Sequence, residues 1–162
     1  MAKWALVRVD NRMIHGQVAA GWIGKSNAEN IVVIDTETAH NELMMDILSL
    51  AVPFGIDFSI LTEEEGIAKY QEEGFGLRGT MLVFKDILTA YNCIKAGFDI
   101  ESLQIGGTGA RPGAVSIEGT ITVTEEEVHL LDELCTDGVH VYLQQTTQSR
   151  QTNWTDAKKK LK

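Results

Sequence analysis

The sequence predicts an open, mostly parallel α/β sheet with helices on both faces. Three observations carry that prediction. Short continuous apolar runs recur, as in Ile31-Val32-Val33-Ile34, and such runs mark strands buried on both sides. Stretches with helical spacing separate them. Several of those stretches carry their own boundary signals, at Thr62 with Glu65, at Gly97, and at Thr124 with Glu127. Repeated strand–helix units close into a parallel sheet, because parallel neighbours need a long crossover.

The elements follow in order. Ala5–Val9 reads as a first strand. Gln17–Lys25 reads as a helix with Val18, Trp22 and Ile23 as its apolar stripe. Ile31–Ile34 is a second strand. Asn41–Leu50 is helical, with Leu43, Met44, Ile47 and Leu48 at core spacing, and Pro53 and Gly55 end it. Asp57–Leu61 is a third strand. Thr62 and Glu65 form a capping box that opens Glu63–Gln71. Met81–Phe84 is a fourth strand, and Asp86–Ala96 is a helix closed by Gly97. Leu103–Ile105 is a fifth strand. Gly106–Gly113 is a loop, and Ser116–Val123 is extended with alternating character. A second capping box opens Glu125–Leu134, Gly138 breaks it, and Val139–Leu143 is a late strand. Asp156–Leu161 reads as a short terminal helix. The loop-rich segment after residue 105 points to one antiparallel strand late in the chain. No repeat or linker divides residues 1–162, so a single domain is expected.

Composition narrows the function. The chain has 162 residues, 44% hydrophobic and 23% charged, which is ordinary for a globular domain. Its net charge of −9 argues against nucleic acid, whose backbone demands a dense Lys/Arg surface. The basic tail at Lys158-Lys159-Lys160 reads as a solvated helix end. Cys93 and Cys135 stand apart without metal or redox spacing, so both read as small buried hydrophobes in a reducing compartment. With no signal peptide or apolar span in view, a cytoplasmic protein is expected.

The chemistry concentrates after the first strand, in Arg8-Val9-Asp10-Asn11-Arg12-Met13-Ile14-His15-Gly16-Gln17. An imidazole stands there at a helix start, beside Arg8 and Arg12. Helix starts offer free N–H groups and partial positive charge to anions. A neutral imidazole is also a nucleophile that works near neutral pH. Asp10 can fix its tautomer, and Gly16 lets backbone approach a transferred group. These residues point to a histidine that receives a phosphoryl group, with phosphate contacts from Arg8, Arg12, Gly16 and Gln17. The Gly106–Gly113 loop lacks a Walker or dinucleotide pattern. Thr108 and Arg111 in it are candidate secondary phosphate contacts.

The same segment resembles the active-site stretch of the IIB subunits of the mannose/fructose/sorbose class of the sugar phosphotransferase system, whose pattern is close to Arg-Ile-Asp-Asp-Arg-Leu-Ile-His-Gly-Gln-Val. Trp22, Ile31–Asp35, Ile105-Gly106-Gly107 and Gly138–Val141 extend the likeness over nearly the whole chain. Asn11 stands where Asp is common, and Asp35-Thr36 where Asn-Asp is common. The resemblance implies a phosphohistidine relay without metal or cofactor. His15 would take phosphate from a phosphorylated IIA protein or domain. It would pass it to a sugar bound by the IIC and IID membrane subunits, so contact with sugar is indirect. Arg12 and Asp10 match active-site positions, and family analogy favours Nδ1 as the phosphorylated atom. A peripheral association with the membrane permease and a homodimer are compatible with it. A competing reading is a regulatory phosphoacceptor built on Asp10, Asp35 and Lys85 at strand ends. The remaining histidines carry less: His40 as a loop or cap residue, His129 at a core boundary, and His140 facing away from Val139 and Val141.

Overall fold

Alternate residues of the apolar runs feed two cores on opposite sides of one sheet. Val32, Ile34, Leu82 and Phe84 enter one cluster, whereas Ile31, Val33, Met81 and Val83 enter the other. Every second side chain of a strand faces the same way, so continuous runs serve both cores. The computed structural model describes residues 3–75 and 78–161.

The first half runs β1 (Lys3–Asp10), α1 (Gly16–Ser26), β2 (Asn30–Ile34), α2 (Thr36–Ala39), α3 (Glu42–Leu50), β3 (Asp57–Leu61) and α4 (Glu63–Glu73). The second half runs β4 (Gly79–Phe84), α5 (Ile87–Lys95), β5 (Ser102–Gly107), β6 (Val115–Glu118), β7 (Ile121–Val123), α6 (Glu125–Thr136), β8 (His140–Leu143), β9 (Thr152–Asn153) and α7 (Trp154–Ala157). A 3-10 turn, Lys158–Lys160, follows α7. The main sheet has the order β3-β2-β4-β1-β5-β8-β9. All its pairings are parallel except β8 with β9, the late antiparallel strand. Helices α1 and α3 pack on one face, and α5, α6 and α7 on the other.

Both capping boxes form, at Thr62 with Glu65 and at Thr124 with Glu127. Asp86 caps α5 from outside, and Asn41 caps α3. Three features differ from expectation. The extended stretch after the glycine loop is an antiparallel hairpin, β6 with β7, separate from the main sheet. Leu43 and Ile47 are exposed, because Leu48 alone of the α3 stripe is fully buried while Met44 and Met45 pack partly against the core. His129 is exposed as well and lies outside the core boundary.

Strand β1 sits between β4 and β5, and the chain leaves it in one direction through α1. Strand β5 lies on its other side and is reached from β4 through α5 on the opposite face. The carboxyl ends of β1 and β5 therefore diverge at a topological switch point, where open α/β sheets bind their ligands.

Candidate active site

A register shift between Val9 and Asp10 pairs Asp10 with Gly107 and breaks the even ladder between β1 and β5. Bulges of this kind re-aim side chains at sheet rims. The chain then turns sharply. Asn11 N–H donates to the Gly107 carbonyl at 3.0 Å, and Met13 N–H to the Asp10 carbonyl at 2.9 Å. Met13 takes a left-handed φ of 59°, unusual for a non-glycine residue, and its buried side chain holds the turn against the α1-side core. His15 is the extended N-cap of α1, and its side chain makes no capping hydrogen bond. The first N–H groups of α1 thus lack a side-chain cap. Gly16 follows at φ 46°, a conformation that favours glycine.

The His15 ring is held from one side. Its Nε2 lies 3.2 Å from Asp10 Oδ2, and the side chain keeps 18% exposure. An ionised carboxylate can only accept, so in the neutral ring Nε2 carries the proton and Nδ1 keeps its lone pair. The other carboxylate oxygen of Asp10 accepts from Arg12 N–H at 3.0 Å. The Arg12 residue is exposed at the rim of the cavity.

Arg8 borders the His15 cavity but, contrary to the expectation from spacing, has no N–H free to donate to a phosphate. It alternates with Val7 and Val9, so it points under α1, where its guanidinium lies 5.3 Å from the Trp22 ring centre. It is 2% exposed and every N–H is spent. Nε and Nη2 donate to Asp10 Oδ2 at 3.2 and 3.1 Å, and Nη2 also to the Gln145 carbonyl at 2.7 Å. Nη1 donates to Gln104 Oε1 at 2.5 Å and to the Gln144 carbonyl at 2.9 Å. Burial lowers its pKa, and the Asp10 carboxylate opposes that effect. Gly106 makes the close approach possible, since a Cβ there would stand 2.0 Å from the Arg8 Cζ. Arg8 therefore braces Asp10, which in turn orients His15.

A cavity of about 220 Å³ opens beside the ring. Arg8, Asp10, Asn11, Arg12 and His15 form one wall. Gly106, Gly107, Gly109 and Thr120 form another, and Gln145 and Thr146 close it. The loop of residues 144–149 and the hairpin residue Thr120 carry no sequence motif, so only their placement reveals them. Thr108 and Arg111 do not line this cavity. They border a neighbouring cleft of about 210 Å³ with Asn11, Lys85 and Asp86. The Thr108 hydroxyl is buried and donates to the Thr122 carbonyl at 2.6 Å. Arg111 is clamped in two-pronged fashion by Glu127 at 2.7 and 2.8 Å, and those hydrogen bonds raise its pKa. Gln17 lies in the first turn of α1, and its side chain is outside the described residues.

The residues of the competing phosphoacceptor reading are spoken for. Asp35 is buried, caps α2 through Thr38 N–H at 3.0 Å and accepts the Thr38 hydroxyl at 2.6 Å. Lys85 Nζ approaches it only to 4.0 Å. Asp10 is bound by Arg8, His15 and Arg12, so neither carboxylate is open to attack a phosphoryl group. His140 is exposed and stacks on Tyr142, with Nε2 3.0 Å from Asn153 Oδ1. His40 is an exposed C-cap of α2.

A family model described as the PTS system sorbose subfamily IIB component matches residues 4–162. The chain belongs to that family. As a IIB component it falls among the phosphotransferases of sugar uptake. The sorbose-specific EIIB component of Lacticaseibacillus casei is 29% identical over 138 residues, covering 85% of this IIB chain and 84% of that protein. The mannose-specific EIIAB component of Escherichia coli K12 is 26% identical over 136 residues, covering 84% of this chain but 42% of that longer protein. Among solved structures, manxB from Thermoanaerobacter tengcongensis superposes with a TM-score of 0.92 at 31% identity, over 99% of this chain and 98% of that one. The IIBSor domain of the Klebsiella pneumoniae sorbose permease shares the fold, with a TM-score of 0.89 at 24% identity over 99% and 98% of the two chains. No helix among the described residues is long and apolar enough to cross a membrane.

Proposed function

We propose that this IIB component carries a phosphoryl group on Nδ1 of His15. It takes the group from a phosphorylated IIA protein or domain and gives it to a sugar held by the IIC and IID membrane subunits. One observation carries the reading: Asp10 occupies Nε2, which leaves the other ring nitrogen as the nucleophile.

The step is an in-line displacement. The Nδ1 lone pair forms the new P–N bond as the bond from phosphorus to the donor histidine breaks, and that electron pair returns to the donor ring. The His15 ring then carries positive charge, which the Asp10 carboxylate faces and stabilises. Transfer to the sugar reverses the sense: a sugar oxygen bonds phosphorus, the P–N electrons return to His15 and leave it neutral, and the hydroxyl proton passes to water. Phosphoryl transfer of this kind depends on alignment and charge stabilisation. Arg12 and the first amides of α1, at Gly16 and Gln17, supply the donors. A charge of roughly −2 arrives with the group at neutral pH, a cue for exchanging the IIA partner for the membrane subunits. The chain works on the cytoplasmic face of the membrane, where the donor and the permease meet.

The test is incubation with the phosphorylated upstream carriers, followed by intact-mass spectrometry of the unchanged chain and of His15→Ala. The unchanged chain gains one phosphoryl group that acid removes and base spares. Label retained by His15→Ala, or label lost in base, would refute the assignment, because an acyl phosphate on Asp is the base-labile species.

A further inference from the structure

We infer that the exposed face of α3 docks on the Lys/Arg-rich cytoplasmic loops of the membrane subunits; the inference rests on the carrier reading above. Charge and exposed apolar surface coincide on this helix. Residues 26–68 hold nine carboxylates and no Lys or Arg. The other 14 carboxylates match the 14 Lys and Arg of the rest of the chain, so this one segment accounts for the whole net charge of −9. Arg78, from outside it, pairs with Asp57 and Glu29, and Lys85 stands 4.0 Å from Asp35. Glu37, Glu42, Asp46, Glu64 and Glu65 are exposed, and among the described residues none of them has a salt bridge. Leu43, Ile47 and Leu50 share one face of α3 at helical spacing, and Phe54 follows in the turn after it. All four are exposed, Phe54 completely, while Met44, Met45 and Leu48 pack on the core. Leu88 and Val115, the other large apolar side chains exposed among the described residues, stand on separate elements.

The face continues into the His15 site. Helices α2 and α3 follow β2 at the carboxyl edge of the sheet, the edge that carries His15. The Thr38 hydroxyl of α2 reaches Met13 Sδ, in the His15 turn, at 3.6 Å. From that edge α3 runs back to the start of β3, which lies parallel to β2. A partner seated on α3 therefore extends to the imidazole. An apolar strip flanked by Glu42 and Asp46 takes an apolar surface rimmed by cations. Cytoplasmic loops of membrane proteins carry an excess of Lys and Arg, which fits. Anionic lipid is repelled. A second copy related by a twofold axis would set the same carboxylates against each other. The phosphorylated donor arrives with roughly two negative charges of its own, which the segment also opposes. Once His15 holds that group, the added charge strengthens the attraction to a cationic partner.

The experiment measures cosedimentation of the full chain with inside-out membrane vesicles that carry the IIC and IID subunits, against vesicles of the same lipid without them. The unchanged chain is compared with the pair Leu50→Ser and Phe54→Ser, and with the pair Glu42→Gln and Asp46→Asn. These side chains are exposed, so the unfolding midpoints of the three proteins stay close. Phosphorylation of His15 by the upstream carriers, read by intact mass, stays the same. The unchanged chain binds only the vesicles with subunits, and more weakly as salt rises. The serine pair binds them roughly tenfold or more weakly. The neutral pair binds roughly threefold or more weakly, with a shallower salt dependence. Equal binding by all three proteins would overturn the inference. Binding to the vesicles without subunits would assign the face to lipid, and loss of phosphorylation by the serine pair would assign it to the donor; either result overturns the inference. An unchanged chain that is dimeric where the serine pair is monomeric would assign the face to a second copy and overturn it too. A labelled chain that does not bind the vesicles with subunits brings down this inference alone. A chain that takes no label brings down the carrier reading and this inference with it.

Discussion

Replacing Arg8 by methionine tests the idea that a buried guanidinium holds the site together. Methionine keeps most of the volume under Trp22, so the change removes charge and donors and leaves little cavity. Five hydrogen bonds vanish at once: two to Asp10, one to Gln104, and one each to the Gln144 and Gln145 carbonyls. Asp10, 3% exposed, is left buried without its cation. Breaking a buried ion pair by deleting one partner costs about 3–5 kcal/mol. That is a large share of the roughly 5–15 kcal/mol that holds a domain folded. For a chain of this size each kcal/mol moves Tm by about 2–4 °C, so the loss should be about 6–20 °C. Urea unfolding at pH 7, followed by circular dichroism, gives the same quantity independently. Adding Asp10→Asn removes the orphaned charge, so the double variant should be less destabilised than the two single losses summed. A loss under about 1 kcal/mol, or strict additivity, would show that Arg8 braces nothing.

Three further outcomes are expected. Asp10→Asn leaves the His15 ring without a fixed tautomer, and phosphoryl acceptance should slow roughly 10- to 100-fold in rapid-quench assays while the fold persists. Glu127 is partly desolvated, which raises its pKa, but donors from Arg111 and Thr124 outweigh this and hold it below the ordinary glutamate range. A depressed folded-state pKa gives stability that is complete above the unfolded value and lost as pH falls through the folded one. Urea midpoints should therefore drop on acidification below that ordinary range, and Glu127→Gln should flatten the drop. Burial pushes the Cys93 thiol up to about 12, so mass spectrometry should find it unmodified by iodoacetamide at pH 8 until denaturant is added.

The strands and most helices were legible because their signals are local. Ile31–Ile34 is a buried run in sequence and in space, and the capping boxes at Thr62 and Thr124 need only three residues of context. Helix α2, four residues long, is too short to leave a period. The hairpin β6–β7 was legible as extended chain but not as a separate sheet, since pairing partners have no local signature. The exposure of Leu43 and Ile47 is not legible in sequence for a related reason: a helical stripe shows which side chains share a face, not how much of that face another element covers.

The sequence by itself determined the reacting group and its immediate company. His15, Asp10 and Arg12 lie within six residues, so a single turn brings them together. Tertiary structure alone decided what each neighbour does. Arg8 looks like a phosphate ligand on paper, yet its partners beyond Asp10 stand 96 to 137 positions away, and they draw it inward. Arg111 is likewise claimed by Glu127, and Thr120, Gln145 and Thr146 reach the cavity from strands and loops distant in the chain. A cation's role depends on which acceptors desolvate it, and those acceptors are set by how the sheet orders its strands.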